Sequence, residues 1–197
     1  MTRTNRNKMR KFVLLMCSAV LLVCVSIGAT VAYLTSQDTV TNSFTVGNVS
    51  ITLDEAKVST DGTPAVNGGR VKANNYHLIP GRTYTKDPTV HVGSSSEDCW
   101  LFVKLENGIS GIEKEGTTTI AAQMAANGWT LLQGKNNVYA YRSTVSKGTD
   151  VSVFGSFTID DSANVSSYAN KSIVVTAYAV QADGFSTAAA AWDAAKF

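Results

Sequence analysis

Cys99-Trp100-Leu101-Phe102-Val103-Lys104-Leu105 is the most apolar run of the chain outside its N-terminal stretch. It is too short for a helix and is bounded by polar loops, so it predicts a central strand packed on both faces. Cys99 at its head reads as a small buried hydrophobe. Upstream, Ser43-Phe44-Thr45-Val46 and Val49-Ser50-Ile51-Thr52-Leu53 alternate apolar and polar residues in opposite phase. A bulge or kink at Gly47-Asn48 would rotate the second stretch by one face. Residues 54–75 are polar and turn-rich, which suits a long loop or a weak hairpin. Ile79-Pro80-Gly81 marks a turn, and a strand over residues 84–92 follows, in which Pro88 belongs at a bulge or an edge because it lacks an N–H.

Downstream, Ala-rich residues 119–127 predict a helix with Ile120 and Met124 on one face and Gly128 as its stop. Residues 129–133 and 138–142 flank Gly134-Lys135-Asn136-Asn137 in a hairpin pattern. Residues 151–154 and 157–159 form a strand pair, or one strand bent at Gly155. Residues 171–181 make the last long strand. A short helix over residues 187–195, capped by Ser186 or Thr187 and pinned by Trp192, closes the chain. The pattern implies an all-β chain with one or two short helices, a jelly-roll β-sandwich forming a single domain over residues 33–197.

The first 32 residues carry a different signal. Arg3, Arg6, Lys8, Arg10 and Lys11 lead into 18 apolar residues, 12–29. Thr30-Val31-Ala32 then places small residues at the −3 and −1 positions of a leader-peptidase site. A secretory leader over residues 1–32, cut between Ala32 and Tyr33 by a signal peptidase, is expected. The product would be secreted to the cell surface or extracellular matrix, touching membrane only through the leader. The alternative is an uncleaved anchor, since the apolar run reaches the lower limit of roughly 17–25 residues for a span. Of the 17 Lys and Arg residues five lie in this leader, so residues 33–197 hold 12 basic against 15 acidic residues, a net of −3. That balance argues against a nucleic-acid partner. Only Cys99 of the three cysteines follows the leader, so no intrachain disulfide is expected.

The inventory for catalysis is thin. His77 and His91 are the only histidines, and no His-Glu-x-x-His pair or Gly-x-Ser-x-Gly elbow occurs. Both histidines read as structural or surface residues. Asp54-Glu55, Glu97-Asp98 and Asp160-Asp161 are adjacent acids of a kind that usually stays solvated, and no Asp-x-Asp-x-Asp-Gly calcium loop accompanies them. Tyr139, Tyr141 and Tyr178 could stack on sugars, but alternating strand tyrosines more often pack across a sheet. No enzymatic activity, cofactor or resident metal is expected.

Several stretches together resemble TasA/camelysin-like proteins, the SipW-dependent secreted proteins of Gram-positive bacteria. Thr30-Val31-Ala32-Tyr33-Leu34-Thr35 and Asn42-Ser43-Phe44-Thr45-Val46-Gly47-Asn48 are similar to the start of that family. The Ile79-Pro80-Gly81 turn and the Trp100-Leu101-Phe102-Val103 strand look like its interior. Ala177-Tyr178-Ala179-Val180-Gln181-Ala182-Asp183-Gly184-Phe185 looks like its C-terminal signature. The resemblance implies a jelly roll and a role in biofilm-matrix fibres built by donor-strand exchange. In that scheme the mature N-terminus of one copy completes the sheet of the next, giving a head-to-tail homopolymer. On this sequence the assembly strand would start at residues 33–42, with Tyr33, Leu34 and Val40 as its apolar positions and Phe44 following. Residues 33–42 contain no Gly or Pro and are strand-competent, but a frayed terminus or an intramolecular edge strand fits them as well. Some relatives were described as surface metalloproteases, an activity that this chain's missing histidine motif does not suit. The other reading is a monomeric surface or matrix module that binds carbohydrate or protein.

Overall fold

The computed structural model describes residues 48–195 and Phe197. The leader, the cleavage residues Thr30, Ala32 and Tyr33, the assembly residues Leu34, Val40 and Phe44, and the expected strand over residues 43–46 lie outside the described residues.

The elements are β1 (Ile51–Ala56), β2 (Arg70–Val71), β3 (Thr83–Thr85), β4 (Thr89–Val92), β5 (Cys99–Asn107), α1 (Ile120–Ala126), β6 (Trp129–Leu131), β7 (Val138–Tyr141), β8 (Asp150–Ser152), β9 (Ser156–Thr158), β10 (Ile173–Gln181) and α2 (Ala188–Ala194). One antiparallel sheet has the order β2-β1-β4-β8, a second β10-β5-β7-β6, and β3 pairs with β9. The chain changes sheets between β4 and β5, between β7 and β8, and again between β9 and β10. That non-local winding gives an all-β sandwich of jelly-roll character with, among the described residues, two short α-helices.

β5 is the centre of the second sheet, paired with β10 along nine residues and with β7 on its other side. Its side chains alternate between two apolar layers. Cys99, Leu101, Val103 and Leu105 enter the main core, where Val90, Val92 and Val151 of the first sheet meet them. Phe102 points the other way, into a smaller cluster with Ala140 of β7 and Ala191 of α2. Both faces of the strand are therefore covered, which is why the run carries almost no polar residue.

The helices form where their caps allow. Thr119 Oγ1 accepts the Ala122 N–H, Ile120 and Met124 are buried, and Gly128 takes φ +91° beyond the last turn. In α2 the cap is Thr187, whose Oγ1 accepts the Ala190 N–H at 3.2 Å. Trp192 then lies 5.1 Å, centroid to centroid, from Phe102 and holds the helix to the sheet.

The structure departs from the sequence pattern in two places. β1 does not stop at Leu53. It runs to Ala56 and pairs with β2 (Glu55 opposite Val71, Ala56 opposite Arg70), so of the two readings of residues 54–75 the hairpin is the one found. The expected strand over residues 84–92 is split into β3 and β4, which belong to different sheets. The break contains Pro88, yet the ladder keeps its register: Thr85 faces Ser156, and four residues further along each strand Thr89 faces Ser152. Lys86 N–H donates to Gly155 O, and Val153 N–H donates to Pro88 O. β3–β4 and β8–β9 thus form one two-stranded ribbon, bent where Pro88 accepts from Val153 but has no N–H to give back, Val153 O taking Asn127 Nδ2 instead, and where Gly155 accommodates the corner. Of the two readings of residues 151–159, the bent strand is the one found.

Candidate functional site

Three of the four outer strands of the two four-stranded sheets are stubs. β2 has two residues, and β6 and β8 have three each. β10 has nine, and among the described residues it is paired on one side only. Antiparallel strands point alternate residues' N–H and C=O groups to opposite sides. Ala182 N–H donates to Asp98 O at one end of the β10–β5 ladder, and Gly108 N–H donates to Ser172 O at the other. Even-numbered β10 residues therefore serve β5, while the main-chain groups of Val175, Ala177 and Ala179 face outward. Their side chains pack on the main core. β10 contains no Pro, Gly or charged residue, the devices by which sheets normally blunt an edge.

The nearby edge of β1 is managed differently. Beyond the two residues paired with β2, Lys72 Nζ donates to Leu53 O at 2.6 Å, and Arg70 bridges Asp54 and Asp87. Cationic side chains cap the β1 edge. Nothing comparable caps β10 among the described residues.

The acids at the end of β1 form the second notable cluster, and here the expectation of solvated carboxylates fails for Asp54 and Glu55. Strand alternation sends these neighbours to opposite faces. Glu55 is buried, paired with Lys86 and accepting from Asn74 Nδ2 at 2.9 Å. Asp54 faces outward, where Arg70 and His91 reach it. His91 on β4 sits between carboxylates, with Nε2 2.8 Å from Asp54 Oδ1 and Nδ1 2.7 Å from Asp150 Oδ1. A neutral imidazole has one N–H, so two such bonds to carboxylates require the imidazolium. The hydrogen bond to Asp54, then that to Asp150, hold the His91 pKa above its ordinary value against partial burial. Burial pushes the Asp54 carboxyl up, but Arg70 and His91 outweigh it and hold it low. The cluster ties β1, β4 and β8 together; its geometry is that of a clasp. Among the described residues no group of three or more His, Cys, Asp or Glu is placed to hold a metal ion.

The remaining sequence candidates are scattered. Burial pushes the Cys99 thiol up to about 11, and the side chain is fully buried, so it is a poor nucleophile. Glu97 and Asp98 are exposed, as is Asp161, which pairs with Lys114 at 2.8 Å. Tyr139 and Tyr141 pack against the main core, and Tyr178 meets Trp192 edge-on at 5.4 Å. His77 is exposed and apart from His91. Within the described residues no helix is long and apolar enough to cross a membrane.

No protein-family model, curated protein or solved structure matches this chain. The β10 edge could not be found from sequence, because a strand's pairing partners, and hence its open sides, are set by residues far away in the chain.

Proposed function

We propose that this chain is a secreted, non-enzymatic structural protein of an extracellular matrix, whose copies join head-to-tail by strand addition. Residues 33–42 of one copy are the donor and β10 of the next is the acceptor. The observation that carries this reading is the nine-residue β10 edge, apolar and uncapped among the described residues, beside a β1 edge that cations cover. A ten-residue extended segment spans about 34 Å, close to the roughly 31 Å of β10. Each main-chain hydrogen bond gained contributes about 0.5–1.5 kcal/mol, and Leu34 and Val40 add apolar contact. Removal of the leader after Ala32 is what frees the donor, so export and assembly are coupled. The resemblance to TasA/camelysin-like proteins points the same way.

The test is deletion of residues 33–41 from the purified mature protein. Negative-stain microscopy and size-exclusion chromatography should then show a folded monomer and no fibres. Fibres that persist unchanged would sink the mechanism.

A further inference from the structure

A groove of about 600 Å³ opens between residues 74–78 and residues 165–173. That size lies within the roughly 300–1,000 Å³ of small-molecule sites. Two tyrosines line it. Tyr76 is held in place by a hydrogen bond from its hydroxyl to Thr85 O at 3.0 Å and by edge-on packing against Phe157 at 5.2 Å. Tyr168 ends a short turn of 3-10 helix, Val165–Tyr168. The rim carries Asn75, His77, Asn170 and Lys171, all exposed.

The charges on this groove are one-sided. Among the described residues no carboxylate lines it, although acidic residues outnumber basic ones in residues 33–197. Lys86 also reaches the groove, but Glu55 neutralises it. Lys171 makes no salt bridge among the described residues. A ligand suited to these walls presents a flat C–H face to tyrosine rings, hydroxyls to side-chain amides and an anion to a free ammonium. An acidic sugar has all three.

We propose that this groove binds a uronate-bearing oligosaccharide, with Lys171 taking the carboxylate, Asn75 and Asn170 the hydroxyls, and Tyr76 and Tyr168 the ring faces. The groove reaches the first residue of β10, Ile173, but the contacts assigned to the sugar precede that strand, so binding does not depend on strand addition. It would let a matrix protein hold an acidic polysaccharide while its sheet edge serves assembly.

The experiment is calorimetric titration of the purified protein with trigalacturonate, with neutral maltotriose as the comparison. Saturable binding of trigalacturonate is expected, with maltotriose at least about tenfold weaker. Lys171→Gln should weaken trigalacturonate by about tenfold, as one charge-assisted hydrogen bond implies. Lys147→Gln, an exposed lysine outside the groove, should leave it unchanged. All these positions are on the surface, and an unaltered circular dichroism melt confirms that each variant is folded. Absence of trigalacturonate binding, equal binding of maltotriose, or equal loss in the two lysine variants would overturn the proposal.

Discussion

His91 shows what one side chain can do when strands bring two acids to it. Its two bonds to Asp54 and Asp150 exist together only in the charged form, so they are linked to proton uptake. The folded-state pKa is raised from 6.5. The stability it contributes is therefore fully present below the ordinary value and lost as pH climbs through the raised one. Asp54, held low, works in the opposite sense: its contribution is present above the ordinary carboxylate value and disappears as pH falls through its lowered pKa. The clasp is strongest between these limits. Asp150 is 66% exposed, so solvent screening keeps the effect small, about 0.5–1 kcal/mol. Thermal melts from pH 6 to 9 should show the protein losing about 2 °C more than His91→Gln does. Parallel profiles for the two would mean that the clasp contributes nothing. Neither partner of His91 could be named from sequence, because the residues lie 37 and 59 positions away from it. The opposite fates of Asp54 and Glu55 were legible in principle, once β1 is known to run past Leu53.

At the level of elements, β10 makes a prediction that depends on register rather than composition. Ala177 turns its N–H outward, and Thr176 spends its own on β5. Proline at an outward position removes only a donor that has no partner among the described residues, whereas proline at an inward one breaks the ladder. Ala177→Pro should therefore remain a folded monomer by circular dichroism and fail to form fibres under the microscope. Thr176→Pro should lose about 3 kcal/mol or more of stability. If Ala177→Pro folds and still polymerises, β10 is not the acceptor. The same strand marks how far sequence reading goes. Its existence, the Gly128 stop of α1, and the hairpin of β6 and β7 were all legible, because local periodicity and turn residues specify them. Its outward side, without a partner among the described residues, was not, and neither was the division of residues 83–92 between two sheets. Pro88 announces a break but says nothing of which strand lies on the far side.

For the whole molecule, the decisive arrangement is that β5 divides two apolar layers of unequal weight. The main core lies between the sheets and includes Trp129, 2% exposed, whose Nε1–H donates to Ser152 O at 2.9 Å. The lesser layer lies under α2, where Trp192 is half-buried against Phe102 and Tyr178. Truncating a buried Trp removes contacts from both sheets at once and leaves a cavity that a sandwich cannot close by moving one helix. Trp129→Ala also orphans the Ser152 carbonyl. It should cost about 4 kcal/mol, and Trp192→Ala about 2 kcal/mol, because the latter's site is partly solvated and α2 can settle onto the gap. In denaturant melts Trp192→Ala should keep a single transition, with the sandwich unfolding as a unit. Were the order of the two losses reversed, or were Trp192→Ala to split the transition, α2 would be part of the folding core. The outer layer would then be the structural foundation of the sheet that carries β10, and strand addition at that edge would have to be weighed against unfolding of the sheet itself.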